Sequence, residues 1–156
     1  MLSRRAFTGL AVVGAAASVA PPASASAPAA EGTIGFHDLA SSNVPGKMAV
    51  AIYEPPGYDP ARAEAYPFLL WLHGGNGSEK DMLFFKSVFD REIASGCVPP
   101  LVIATPSGRR SLYMDYLDGS ERRESYILSD VLPFVRRTVH AADAARCTGH
   151  EHGVPD

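Results

Sequence analysis

The chain has 156 residues, 46% of them hydrophobic, with 14 Lys and Arg against 17 Asp and Glu for a net charge of −3. This is ordinary globular composition, and the length supports one domain or part of a larger one. The acidic balance argues against a nucleic-acid groove, and no run of like charge exceeds two residues. The only long apolar stretch lies at the extreme N-terminus, which excludes an integral membrane domain unless that stretch is a retained anchor.

Residues 1–25 read as an export signal. Arg4 and Arg5 open it, a Gly/Ala-rich apolar core covers residues 6–20, and Ala23-Ser24-Ala25 offers an A-x-A cleavage site. The string Ser3-Arg4-Arg5-Ala6-Phe7 resembles the twin-arginine signal S-R-R-x-F. That route exports folded proteins and places the product in a bacterial periplasm or outside the cell. Cleavage after Ala25 takes the charge from −3 to −5 and leaves no stable membrane insertion. Export also permits disulfides. The two cysteines, Cys97 and Cys147, have no spacing that pairs them; the plainer reading is a buried thiol at Cys97 and an exposed one at Cys147.

Residues 26–32 are small and polar and read as a linker. A first strand is expected over 33–37 and a better one over 47–54 (KMAVAIYE), stopped by the dense turn signal PPGYDP at 55–60. The apolar run YPFLLWL at 66–72 fits a strand buried on both faces. Residues 78–95 read as a helix, with Ser78 as N-cap, an apolar stripe of Met82, Phe85, Phe89 and Ile93, and Gly96 as the stop. A second buried run, LVIAT, covers 101–105. Strand, helix and strand make a βαβ unit, hence a parallel pair. A second helical stripe (Ile127, Leu128, Val131, Leu132, Val135, Val139) spans 124–141, and Pro133 within it predicts a kink or two short helices. A doubly wound fold then needs another buried strand, but the chain continues as RCTGHEHGVPD. The expectation is therefore an α/β domain over 33–146, with a mostly parallel sheet and flanking helices, and an unpatterned polar tail over 147–156.

Residues 69–78, LLWLHGGNGS, carry the most chemical information. A buried strand ends in His73-Gly74-Gly75 and a helix follows. Glycines let a ligand approach the backbone closely, and N–H groups beyond the strand's end can bind a developing oxyanion. H-G-G turns supply half the oxyanion hole in α/β-hydrolases.

With this string the resemblance can be stated. Residues 53–139 resemble the secreted putative-esterase branch of the α/β-hydrolases, which includes esterase D-like, feruloyl esterase-like and mycolyltransferase-like proteins. The landmarks are PPGY at 55–58, YPFLLWLHGGNGS, LVIATPSG, the segment Tyr113-Met114-Asp115-Tyr116 and the helix ESYILSDVLPFVRRTV. The resemblance implies a carboxylic-ester hydrolase acting on a small-molecule or polysaccharide ester with no cofactor. It implies Gly74 and Gly75 as oxyanion-hole residues, and His73, Asn76, Asp115 and Tyr116 as residues around the pocket. His73 reads as a positioning residue before a catalytic one, and Ser78 as a cap before a nucleophile.

The family's serine sits in G-x-S-x-G on the next strand, followed later by an acid and a His. No Ser or Cys here has glycines two before and two after it. Cys147, in ARCTG, lacks the flanking strand and helix. No catalytic residue is therefore assigned, and a truncated α/β-hydrolase fold is expected, lacking the nucleophile elbow and all that follows. The abrupt change after residue 146 reads as a frameshift, a premature stop or a mis-assigned gene end. The expected function is that of an inactive secreted esterase-family protein. The alternatives are a non-catalytic carbohydrate- or lipid-binding module, or a decay product with an exposed sheet edge. Cys147, His150 and His152 give three zinc-type ligands without a fourth, so no metal is assigned. Arg109-Arg110 and Arg122-Arg123 bracket the Asp115 loop, as an anion attractor or as a solvated surface.

Overall fold

A computed structural model describes residues 30–142. The segments expected to be an export signal and a polar tail, with Cys147, His150 and His152, lie outside the described residues. So does any pairing of Cys147 with Cys97, which is itself exposed rather than buried.

Four strands form one sheet: β1 (Thr33–Ala40), β2 (Lys47–Glu54), β3 (Phe68–Leu70) and β4 (Val102–Pro106), in the order β1-β2-β4-β3. β1 pairs antiparallel with β2, with Gly35 opposite Ile52, and β2 pairs antiparallel with β4, with Ile52 opposite Ala104. β3 and β4 are parallel, with Leu70 opposite Ala104. The expected α/β class holds, and within it the sheet is mixed rather than mostly parallel. The reason lies in the connections. Residues 41–46 are too short for a crossover, so β1 and β2 fold back as neighbours, whereas the helix between β3 and β4 carries the chain over the sheet.

Alternation along β2 and β4 sorts the core into two layers. Val50, Ile52, Val102 and Ala104 face one side, against Tyr126, Ile127, Val131 and Val135 of the second helical segment. Ala51, Tyr53 and Ile103 face the other, against Met82, with Trp71, Phe89 and Ile93 packed around them. Both faces are covered, so β4 is buried at every position. β3 differs from the expectation of a strand buried on both faces: Leu69 is 41% exposed because β3 lies at the sheet edge. Among the described residues its outer side is met only near Tyr66. The Tyr66 N–H donates to the His140 carbonyl (3.1 Å) and the Ala142 N–H to the Tyr66 carbonyl (2.8 Å), a parallel bridge. Past the second helix the chain thus turns into the position beside β3.

A 3₁₀ turn, Glu79–Asp81, leads into α1 (Met82–Ala94). The Ser78 hydroxyl caps it by accepting from the Lys80 N–H at 3.2 Å. Trp71 stacks edge-on against Phe85 at 4.7 Å between centroids, anchoring the apolar stripe. A polar knot fastens the other end of α1. Asp90 accepts from the Tyr53 hydroxyl (2.8 Å), the Gly32 N–H (3.0 Å) and Lys86 Nζ (2.8 Å), and Lys86 also reaches Glu31 (2.9 Å).

The second helical segment is one rod of three parts: α2 (Arg123–Tyr126), a π turn (Ile127–Val131) and α3 (Leu132–Thr138). Pro133 has no N–H to give the preceding turn. The π turn absorbs this loss, with the Leu132 N–H reaching back five residues to the Ile127 carbonyl. Where Pro133 predicts a kink or two short helices, the segment instead runs on as α2, π turn and α3 without a break. Among the described residues, no helix is long and apolar enough to cross a membrane.

Candidate active site

The turn at residues 73–77 follows directly from β3 and feeds α1. It is closed by the Gly77 N–H donating to the Gly74 carbonyl at 2.9 Å. A Cβ on Gly77 would displace the Asp81 carboxylate and crowd His73, so the turn packs closely there. Gly74 and Gly75 are different. Both are exposed, and a Cβ on either would meet nothing within 4 Å. Neither N–H donates to an acceptor among the described residues. Two adjacent donors therefore stand open past the C-terminal end of a parallel strand, where ligands of open α/β sheets bind.

His73 holds that turn in place. His73 is 4% exposed, and its ring bridges two loops. Nε2 accepts from the Gly108 N–H at 2.9 Å, so Nε2 carries no proton. The proton sits on Nδ1, which donates to the Gly74 carbonyl at 2.8 Å. Tyr113 completes the clamp, its hydroxyl donating to the His73 carbonyl at 3.2 Å and its ring meeting the imidazole edge-on at 5.6 Å. Burial pushes the Tyr113 hydroxyl up to about 12, so it remains a donor throughout the neutral range. A Cβ on Gly108 would enter the Tyr113 ring. Tyr113 itself has φ 57°, a left-handed backbone that a bulky residue adopts at a cost of order 1–3 kcal/mol.

The remaining candidates divide. The Asn76 side chain accepts from Arg110 Nη2 at 3.2 Å, which links the turn to the loop after β4. Asp115 turns toward the rod: its carboxylate accepts from the Ser125 N–H (3.0 Å) and hydroxyl (2.5 Å), with Arg122 at 3.7 Å. The Ser125 hydrogen bonds hold its carboxyl below the ordinary carboxylate range. Asp115 thereby satisfies the open first turn of α2. Tyr116 is half exposed, and its N–H donates to the Glu121 carbonyl at 2.9 Å. His73, Gly74, Gly75 and Asn76 are thus brought together, with Gly108, Arg110 and Tyr113 joining from the other loop. Sequence reasoning gave Gly108 no role, and placed Tyr113 only in a loop at the lip of the pocket, not as a brace of the turn. A glycine after a strand and a tyrosine in a recognised segment were the only signals.

A family model described as putative esterase matches residues 41–151. No curated protein sequence matches the chain. Among solved structures, the fold is similar to that of a ferulic acid esterase, at 22% identity and a TM-score of 0.63, over 71% of this chain and 44% of that one. It is also similar to a ferulic acid esterase from Anaeromyces mucronatus in complex with ferulic acid, at 16% identity and a TM-score of 0.57, over 72% and 45% of the two chains. An S-formylglutathione hydrolase from Agrobacterium tumefaciens gives 19% and 0.55, over 72% and 46%. The likeness is one of fold, and the chain spans less than half the length of each of these structures.

Proposed function

The chain belongs to the putative esterase family, and on that premise we propose that residues 73–77 form the oxyanion-binding turn of an exported carboxylic-ester hydrolase fold. The observation that carries this reading is the pair of acceptor-free N–H groups at Gly74 and Gly75, on a turn fixed by His73. Donors held in advance stabilise charge developing on an ester carbonyl oxygen without reorganising at the moment of reaction. Export rests on the signal-like residues 1–25. The substrate class is an ester of a small molecule or polysaccharide. Ferulate, the ligand of one similar structure, is the first to try.

No Ser or Cys among the 156 residues stands in G-x-S-x-G. Attack on the carbonyl needs such a nucleophile with its base. These residues alone therefore bind an ester without cleaving it. The test follows the amides of the chain lacking residues 1–25 during a titration with methyl ferulate, with hydrolysis measured in parallel. The largest shifts are expected at Gly74 and Gly75, with no release of ferulate above the buffer rate. Shifts confined to other amides would overturn the site, and a burst of ferulate stoichiometric with protein would overturn the lack of cleavage.

A further inference from the structure

Beside the Asn76 end of the turn, a cavity of about 370 Å³ lies between the loop after β4 and the segment leading into α2. Arg109, Arg110, Ser111, Tyr116, Glu121 and Arg123 line it. Three arginines and one glutamate thus share its wall, against the net charge of −3 of the whole chain. Glu121 is already committed. Its Oε2 accepts from both Nε (2.9 Å) and Nη2 (2.7 Å) of Arg123. Arg123 is only 2% exposed, and its Nη1 faces the Met48 sulfur at 3.6 Å, a weak acceptor. A buried guanidinium is thus left with donor capacity that no strong acceptor uses.

The other two arginines are not neutralised. Arg109 makes no hydrogen bond or ion pair among the described residues, and its backbone is left-handed at φ 50°. Arg110 bonds only to the neutral Asn76 side chain. Like charges gathered around one cavity repel, and an anion between them removes that repulsion. The guanidinium fork matches the oxygens of a carboxylate or phosphate.

We propose that this cavity is a binding site for the oxyanion of a small ligand, a carboxylate or a phosphate, with the Arg109 and Arg110 forks as its hands, Arg123 as its fixed wall and the Tyr116 ring against the ligand's body. This goes beyond the ester reading and does not rest on it.

Calorimetric titration of the chain lacking residues 1–25, at fixed ionic strength, tests the site with two probes. Inorganic phosphate represents the tetrahedral anion, and benzoate a planar carboxylate with a ring for Tyr116. At least one probe is expected to saturate at one site per chain. Arg110→Gln and Arg109→Asn should each weaken it about tenfold, the latter being a residue that left-handed backbone accommodates. Both side chains are exposed, and circular dichroism would confirm that the variants fold. Arg91→Gln, on α1, should leave binding unchanged. Absence of saturation with both probes overturns the proposal. So does binding that survives both cavity variants, or that falls equally in Arg91→Gln.

Discussion

With Nδ1 donating to Gly74 and Nε2 accepting from Gly108, the His73 ring has no nitrogen free for a substrate. It acts on the turn, not on a ligand. His73→Ala would leave the buried Gly108 N–H without its acceptor, an expected loss of about 1–3 kcal/mol in urea denaturation. Tyr113→Phe removes one hydrogen bond and keeps the ring, so a smaller loss of about 0.5–1.5 kcal/mol is expected. The two losses should not add, because both residues brace one turn. The turn itself was legible: a run of apolar residues ending in His-Gly-Gly admits few other readings. Tyr113 was not, because local preference gives no reason to place a bulky side chain on left-handed backbone. Asp115 was singled out for its place in the chain, yet its partner is a helix start ten residues on, which spacing alone does not reveal.

Among the elements, α1 was read correctly from its stripe, but the knot that fastens it was invisible because its members come from three separate segments. Burial alone would raise the Asp90 carboxyl, but hydrogen bonds from Lys86, Tyr53 and Gly32 outweigh it and hold the group below its ordinary value. A lowered carboxyl contributes stability above its unfolded value, near 3.8, and loses it as the pH falls through the folded value. Acid should therefore loosen α1 from β2 below about pH 4. Asp90→Asn should lower the melting temperature at pH 7 and flatten the acid limb of a melting-temperature profile. An unchanged acid limb would show that the knot does not couple to folding. β3 shows the opposite failure. A continuous apolar run looks the same at a sheet's centre and at its edge, and only the exposure of Leu69 separates them.

At the scale of the molecule, the βαβ unit and its covering helices were legible from alternating apolar runs, whereas the antiparallel placing of β1 and β2 depends on connection lengths and on which edges are free. The two covered faces of the sheet are unequal. The rod side buries Tyr126, Ile127, Val131 and Val135 against five strand residues, Met48 among them, while α1 offers one fully buried side chain, Met82, and leaves Phe84 79% exposed. Layers with such different apolar burial open at different free energies. In deuterated solvent the α1 amides should exchange well before those of residues 131–138, read by mass spectrometry of peptic fragments. Equal rates would mean that the two layers open together. The turn at 73–77 runs straight into the α1 side as well as being pinned by His73 to the loop after β4, so Gly74 and Gly75 are expected to share in the opening of α1. The two donors offered to a ligand are then held steady only as often as α1 is docked, and a bound ligand would slow deuterium uptake along the whole helix, well away from where it sits.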